Sequence, residues 1–251
     1  MTRYSYPHFD TAPGYLTERV RSAYIAKAIA SGELPDNAHR MAPVVSLLAP
    51  NDAAHPIQFW QLFSVLGPER IVAIVRSFYQ RVFADEAWFR SVFERVGDVE
   101  HHVMTQAAMW IDAFGGGPAY HGGEFRLSFH HQHNALQLLN DRGAARWVAL
   151  MVETLDDPEL DLTSDPRVRP ALNSFLGHFM SKYAEEFAFS DCGDFGERNA
   201  PFRRRLNFLR LSSDDIEALS EAELIAEFET RGVDVSQFEG KDALVAHALR
   251  L

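Results

Sequence analysis

Apolar residues recur three and four positions apart along most of the chain, and no stretch alternates apolar and polar residues over the length of a strand. This spacing is typical of amphipathic helices that bury one face. After a start rich in proline and aromatic residues, the pattern predicts a helix from Thr17 to about Ser31. Because the pattern then stays helical from Pro56 to about Phe189, we expect an all-α protein.

Glycine and proline separate the helices of this block. Gly67-Pro68 is expected to interrupt a helix, since proline has no backbone N–H and glycine adopts conformations that other residues avoid. The run Gly115-Gly116-Gly117-Pro118 is expected to end another helix. Helices are predicted, in chain order, over 59–66, 71–82, 88–93, 98–114, 125–136, 147–155 and 167–187.

The composition changes at both ends of the helical block. Residues 1–55 have the features of an N-terminal extension, and 56–189 form the predicted helical domain. Residues 190–211 begin with the Gly/Asp/Asn-rich SDCGDFGERNAP and continue with the basic PFRRRLNFLRL, so we predict a linker there. For residues 212–251, the sequence pattern predicts a small module in which an extended segment separates two helices.

Composition and charge restrict the function. The chain has 251 residues, of which 47% are hydrophobic, so it can form a core. Its net charge of −11 disfavours a broad nucleic-acid-binding surface and favours a protein that handles small molecules. The single Cys192 and the polar start MTRYSYPHFD predict a cytoplasmic protein. No apolar run approaches the about 20 residues that a membrane helix needs.

Histidines are concentrated in one part of the chain. Six of the eleven lie between His101 and His133, and three interpretations apply: solvated side chains, a zinc site, or a haem site. Zinc would need about four ligands, but the region has no cysteine and no HExxH pair. Haem needs one neutral imidazole in an apolar slot. Residues of the block that suit such a slot are Phe78, Phe89, Phe93, Met109, Trp110, Phe114, Phe129 and Trp147.

Five motifs, in order, are similar to those of one family. GPERIVAIVRSFYQRVFAD carries a Phe-Tyr pair on a second helix, SVFERV a phenylalanine at a turn, and GGGPAY a glycine motif. FHHQHNALQL resembles a histidine-bearing helix and RWVALM a tryptophan-bearing helix. Together these motifs resemble the truncated haemoglobins, short globins with a two-over-two helical sandwich. The resemblance covers Phe59 to Phe187 and implies that haem b is the cofactor.

The resemblance also implies an iron ligand. In the family, an apolar residue precedes the proximal histidine by one turn and another follows it by three residues. Phe129, His133 and Leu136 fit this frame, so the prediction is His133. His130 and His131 are the competitors, because the first would place Arg126, and the second would place Asn134, at a position expected to be apolar.

On the opposite side of the haem, the family pattern assigns four residues. The Tyr79 hydroxyl is expected to donate a hydrogen bond to a diatomic ligand, and the Trp147 indole to lie over that ligand. His102 and Gln106 lie one turn apart on the distal helix. Ordinary core packing is the alternative interpretation of Tyr79 and Trp147. Further haem contacts are predicted for Phe78, Phe93, Met109, Tyr120, Phe129 and Leu136.

The implied function is the binding of dioxygen, nitric oxide or related diatomic ligands. Redox turnover of the nitric oxide dioxygenase or peroxidase type would use an external reductase, since no GxGxxG motif accompanies the block. A haem-based sensor and a haem-free structural globin are the alternatives. The 212–251 module resembles SAP-type domains, but its ten acidic and three basic side chains disfavour nucleic acid unless the upstream RRRLNFLR segment supplies the contacts. Docking to a protein partner and plain packing against the rest of the chain are the alternatives.

Overall fold

The computed structural model describes residues 4, 6–53, 55–160, 162–200 and 206–251. The described chain is helical, which confirms the predicted all-α class, and it includes an isolated β-bridge between Ala12 and Gly116. No helix in these ranges is long and apolar enough to cross a membrane. The α-helices are α1 Thr17–Ala30, α2 Ala42–Val45, α3 Phe63–Ala84, α4 Ala87–Glu94, α5 Val99–Ala113, α6 Gly123–Phe129, α7 Asp141–Leu155, α8 Val168–Phe187, α9 Ser213–Ala218, α10 Glu221–Thr230 and α11 Gly240–Ala248.

The predicted break at Gly67-Pro68 is confirmed as a kink within α3. Gly67 has φ 66° and ψ 176°, a left-handed φ that other residues rarely adopt. The ring of Phe9 packs against this glycine, and a Cβ placed there would lie 2.3 Å from a ring carbon. Glycine at this position therefore permits both the kink and the close contact with the N-terminal segment.

The predicted helix over 125–136 is not continuous. Helix α6 ends at Phe129, and a π-helical turn covers His130–Asn134, where the Ala135 N–H donates to the carbonyl of His130, five residues back, at 3.1 Å. A 3₁₀ turn follows at Leu136–Leu138. A π turn holds more residues than an α turn, so the face on which each later residue lies differs from the α-helical expectation.

The described residues of the segment 1–55 contribute to the same hydrophobic core as the helical block. Tyr24 on α1 packs edge-on against Phe59 and Trp60, with ring centroids 5.1 and 5.8 Å apart. This segment therefore forms part of the first folded unit. Its buried apolar residues are Tyr6, Leu16, Ile25, Ala28, Leu34, Ala38, Val44 and Ala49.

A buried carboxylate on α5 attaches the start of α1 to the core. Asp112 accepts hydrogen bonds from the backbone N–H groups of Leu16 at 2.8 Å, Tyr15 at 3.0 Å and Thr17 at 3.2 Å. The first N–H groups of a helix have no partner within the helix, and the residue before α1 has no side chain that caps it. Asp112 thus serves as the N-cap from a different helix.

We expect Asp112→Ala to lower the free energy of unfolding by about 3 kcal/mol or more, because several buried N–H groups lose a charged acceptor. Urea unfolding followed by circular dichroism measures the change. The control is Asp98→Ala, which removes an exposed N-cap on α5 and is expected to cost about 1 kcal/mol. Equal losses in the two variants would contradict the role given to Asp112.

The boundary with the C-terminal unit differs from the predicted one. The chain divides into a unit Met1–Phe202 and a unit Arg203–Leu251. Phe195, within the predicted linker, is 1% exposed in the first core, and the Asn199 side-chain amide donates to the Ile57 carbonyl at 2.8 Å. The second unit has a core of its own, formed by Phe208, Ile216, Leu224, Phe228, Leu244 and Ala248.

A chain that ends after Phe202 is expected to keep the stability of the first unit, whereas one that ends after Phe189 should lose it. The shorter chain lacks Phe195, and truncating a buried phenylalanine costs about 3 to 5 kcal/mol. Thermal unfolding of the two truncated chains, with Phe195→Ala in the full chain as a matched variant, measures the difference. Equal melting temperatures for both truncations would place Phe195 outside the cooperative unit.

Candidate functional site

A cavity lies among α3, α5, α7, α8 and the turn that follows α6. It contains about 850 Å³ of empty space, part of which is open to solvent. Most of its lining is apolar: Phe93, Met109, Trp110, Ala135, Leu138, Leu139, Ala144, Trp147, Phe175, Leu176, Phe179, Met180 and Phe189.

A second cavity adjoins the first and shares part of its wall. Tyr79, Gln106, Met109, His130 and His131 line both cavities. The second cavity is more polar, and no Asp or Glu of the described chain lines it. We call the two adjoining cavities together the slot, with an apolar end and a polar end. The remaining residues of the polar end are Val96, His101, His102, Thr105, Tyr120, Arg126, Leu127, Phe129 and Asn134.

His131 presents an imidazole to this slot in a defined state. Its Nδ1 lies 2.8 Å from the Leu127 carbonyl oxygen, and because a carbonyl only accepts, Nδ1 carries the proton. Burial lowers the pKa of His131 to about 4, so the ring is neutral near pH 7. Nε2 consequently keeps a free lone pair, which is the state in which histidine binds metals.

The structure places His133 and Leu136 of the predicted frame outside both cavities. His133 is exposed, its Nδ1 contacts the Phe129 carbonyl at 3.0 Å, and its ring stacks on Phe129 with centroids 4.1 Å apart. Phe129 is 50% exposed and Leu136 is 52% exposed. His133 and Leu136 line neither cavity, and Phe129 reaches only the polar one.

The π turn explains this difference. In the predicted α-helix, the next residue that faces the cavity lies three positions after the proximal histidine. For His131 that residue would be the polar Asn134, so the sequence disfavoured His131 as the ligand. With one extra residue in the turn, the inward position falls at Ala135, and Ala135 does line the apolar cavity. Leu127, four residues before His131, is buried. His131 thus has apolar neighbours on both sides along the chain.

His130 is the other histidine on the shared wall. Its ring meets that of His131 edge-on with centroids 5.2 Å apart. Burial, together with the charges of His102 and Arg126, lowers the pKa of His130. Two neutral imidazoles therefore lie side by side. Of these two rings, the described hydrogen bonds fix the tautomer of His131 alone.

The four predicted distal residues come together in part. The Tyr79 hydroxyl donates to the Gln106 side-chain oxygen at 2.7 Å, and burial raises the pKa of Tyr79, so the hydroxyl keeps its proton. Trp147 lines the apolar end, with its ring 5.0 Å from that of Phe78. Tyr79, Gln106 and Trp147 all reach the apolar cavity.

His102 reaches only the polar cavity. Its ring stacks on Tyr79 with centroids 5.1 Å apart, and its Nε2 donates to the Phe93 carbonyl at 2.9 Å. Burial lowers the pKa of His102, so the ring is neutral. The Nε2 proton is already donated to the Phe93 carbonyl, so the ring has no further donor for the apolar end. The ring instead packs against Tyr79.

The other predicted contacts fall into three groups. Phe93 and Met109 line the apolar cavity. Tyr120 lines the polar cavity, where the guanidinium of Arg126 lies 4.8 Å from the centre of its ring. Phe78 is fully buried behind Tyr79 and Trp147 and does not line either cavity.

The wall formed by α8 was missing from the predicted site. Phe175, Phe179 and Tyr183 follow one another at four-residue spacing and all line the apolar cavity. This spacing of aromatic residues was the available signal, because side chains four apart share one helix face. A helix face alone does not show which cavity it covers, so the sequence did not assign these residues to the site.

Comparison with known proteins shows that this helical block is similar to globins. Residues 61–179 match the family model described as Bacterial-like globin. The chain is 28% identical to "Two-on-two hemoglobin-3" of Arabidopsis thaliana over 109 residues, which are 43% of this chain and 61% of that protein. It is 26% identical to "Group 2 truncated hemoglobin 3-1" of Lotus japonicus over 126 residues, 50% of this chain and 72% of that one.

By these comparisons, the central block of the chain is similar to truncated globins. The match lies inside the first folded unit. The chain spans about three fifths of the length of the Arabidopsis protein, and the C-terminal unit lies outside the matched region.

Proposed function

We propose that the protein binds haem b in the slot, with Nε2 of His131 as the iron ligand, and that it binds a diatomic gas on the opposite side. The observation that carries the proposal is the state of His131. It lies half-buried in the cavity wall, it is neutral, and its proton is fixed on Nδ1 by the Leu127 carbonyl. That arrangement is the usual one for a histidine that ligates a metal.

The chemistry of the slot fits haem at both ends. The apolar end offers aromatic and aliphatic side chains to a flat hydrophobic ring, in agreement with what haem pockets require. The polar end offers Arg126, Tyr120 and His101 to the two carboxylates at the ring's edge. A fixed positive charge with no acidic neighbour in that lining suits such carboxylates.

When bound, haem supplies an iron that takes a diatomic ligand. The residues of this chain control what that ligand meets. Tyr79 keeps its hydroxyl proton and donates a hydrogen bond to Gln106, and the same hydroxyl would be the donor for a bound ligand. The Trp147 indole N–H has no acceptor among the described residues and is available as a second donor. The apolar lining excludes water, which strengthens both hydrogen bonds.

We propose dioxygen and nitric oxide as the gases, since both become hydrogen-bond acceptors at a haem iron. Turnover would need electrons from a separate reductase, because the sequence has no GxGxxG motif. With its single cysteine, the chain is suited to a reducing compartment such as the cytoplasm.

A sensing role is a second candidate, favoured by the separate core of the C-terminal unit. Within residues 212–251 of this unit there are ten acidic and three basic side chains, and two of the basic ones are engaged: Arg231 pairs with Glu227, and Lys241 donates to the Glu217 carbonyl. This part of the unit therefore offers little positive charge to nucleic acid, and we propose a protein partner for it.

Haem titration of the purified full chain tests the proposal. We expect saturation of the Soret absorption at one haem per chain, and a shift of that band when carbon monoxide is added after reduction. A chain that shows only weak, unsaturable haem absorption would support the haem-free structural globin and contradict the proposal.

A further inference from the structure

Tyr183 lies on α8 against the predicted iron ligand. Its ring stacks on the imidazole of His131 with centroids 4.1 Å apart and an angle of 30° between the planes. Tyr183 also lines the apolar cavity. Neither the motifs of the family resemblance nor the predicted site includes this residue.

Two contacts fix the imidazole of His131, and they act in different ways. The hydrogen bond from Nδ1 to the Leu127 carbonyl holds one edge of the ring and sets its tautomer. A single hydrogen bond does not fix the plane of the imidazole, so the ring can still rotate about that bond. The face-on contact with Tyr183 blocks this tilt, because α8 holds the tyrosine on one side of the imidazole.

The contribution of Tyr183 comes from its ring. Its hydroxyl is buried and has no hydrogen-bond partner among the described residues. Other buried tyrosine hydroxyls are paired, that of Tyr79 with Gln106 and that of Tyr6 with Asp165. An unpaired buried hydroxyl destabilises a folded protein, so the hydroxyl offers no stabilising contact at this place.

The ring also has an electrostatic effect. The face of an aromatic ring is negative, and an imidazole that donates electron density to a metal becomes more positive. A tyrosine face against the imidazole therefore stabilises the metal-bound form over the free form. The effect acts through His131, so Tyr183 need not touch the metal.

We propose that Tyr183 is a positioning residue that sets the plane of the His131 imidazole and thereby strengthens its bond to iron. This inference rests on the proposed function, because it requires that haem bind through His131. It goes further by naming the residue on α8 that controls the ligand.

Three variants of the full chain loaded with haem test the proposal. Tyr183→Leu removes the ring, Tyr183→Phe keeps the ring without the hydroxyl, and Phe179→Leu is the matched control. Phe179 lines the same cavity one turn away, with its ring 5.9 Å from that of Tyr183, so its loss removes an aromatic wall without removing the stack on His131. The readouts are the iron–histidine stretching band of the ferrous protein in resonance Raman spectra and the rate of haem transfer to an excess of apomyoglobin.

We expect Tyr183→Leu to broaden and shift the iron–histidine band and to speed haem loss by about two- to tenfold, as the usual strength of an aromatic stack implies. Tyr183→Phe should keep the wild-type band, and Phe179→Leu should keep it even if haem loss becomes faster. A wild-type band in Tyr183→Leu, or a band that Phe179→Leu shifts equally, overturns the positioning role. Absence of an iron–histidine band from the wild type overturns the ligand assignment as well, so the two failures are distinguishable.

Discussion

Replacing His131 by glycine is expected to abolish the bond between the protein and haem iron. His131 is the histidine that combines a place in the cavity wall, a neutral ring and a proton fixed on Nδ1. The variant leaves a space of imidazole size beside Tyr183. Added imidazole should enter that space and restore the iron–histidine band, because the rest of the slot is unchanged. The Soret spectrum and the ferrous resonance Raman spectrum, recorded with and without imidazole, measure the effect.

The neighbouring histidines provide the controls. His133→Gly changes an exposed side chain outside both cavities and should leave the spectrum as it is. His130→Gly removes a side chain of the shared wall and should weaken haem retention without removing the iron–histidine band. If His133→Gly loses the band while His131→Gly keeps it, the turn after α6 has a different register when haem is bound.

The sequence was informative where the helices are regular. The Gly67-Pro68 break, the end of α5 at the glycine run and the one-turn spacing of His102 and Gln106 all follow from local rules, and the structure has each of them. Residues on these helices lie near the predicted place because the α-helical phase applies without interruption. The apolar cavity accordingly includes Tyr79, Gln106 and Trp147.

The proximal side could not be predicted in the same way. The face on which each proximal residue lies depends on one extra residue in the turn His130–Asn134, and no residue type predicts a π turn. An α-helical count therefore selected His133, two residues past the histidine that faces the cavity. The predicted linker fails for a related reason: composition showed a polar segment around Phe195, but only tertiary packing shows that this one aromatic ring is buried.

Tyr79→Phe is expected to raise the dissociation rate of dioxygen by about ten- to a hundredfold while changing that of carbon monoxide much less. A hydrogen bond to a partly charged acceptor in a dry pocket contributes about 1.5 to 3 kcal/mol, and carbon monoxide at a haem iron is a weaker acceptor. The variant keeps the buried ring and removes only the hydroxyl that now donates to Gln106. The ratio of the two dissociation rates, from ligand-replacement stopped flow, is the measurement. Tyr24→Phe is the control, since Tyr24 packs in the core outside both cavities.

Gln106 decides how large the effect of Tyr79→Phe becomes. Its side-chain oxygen loses a donor when the hydroxyl is removed, so the amide is free to turn and present its N–H groups to the ligand. The double variant with Gln106→Leu prevents this, and residues that share a hydrogen bond are expected to be non-additive. The dioxygen rate should therefore rise further in the double variant than the two single changes predict together. If the ratio stays at the wild-type value in both variants, neither side chain meets the ligand, and the distal assignment on α3 and α5 is wrong.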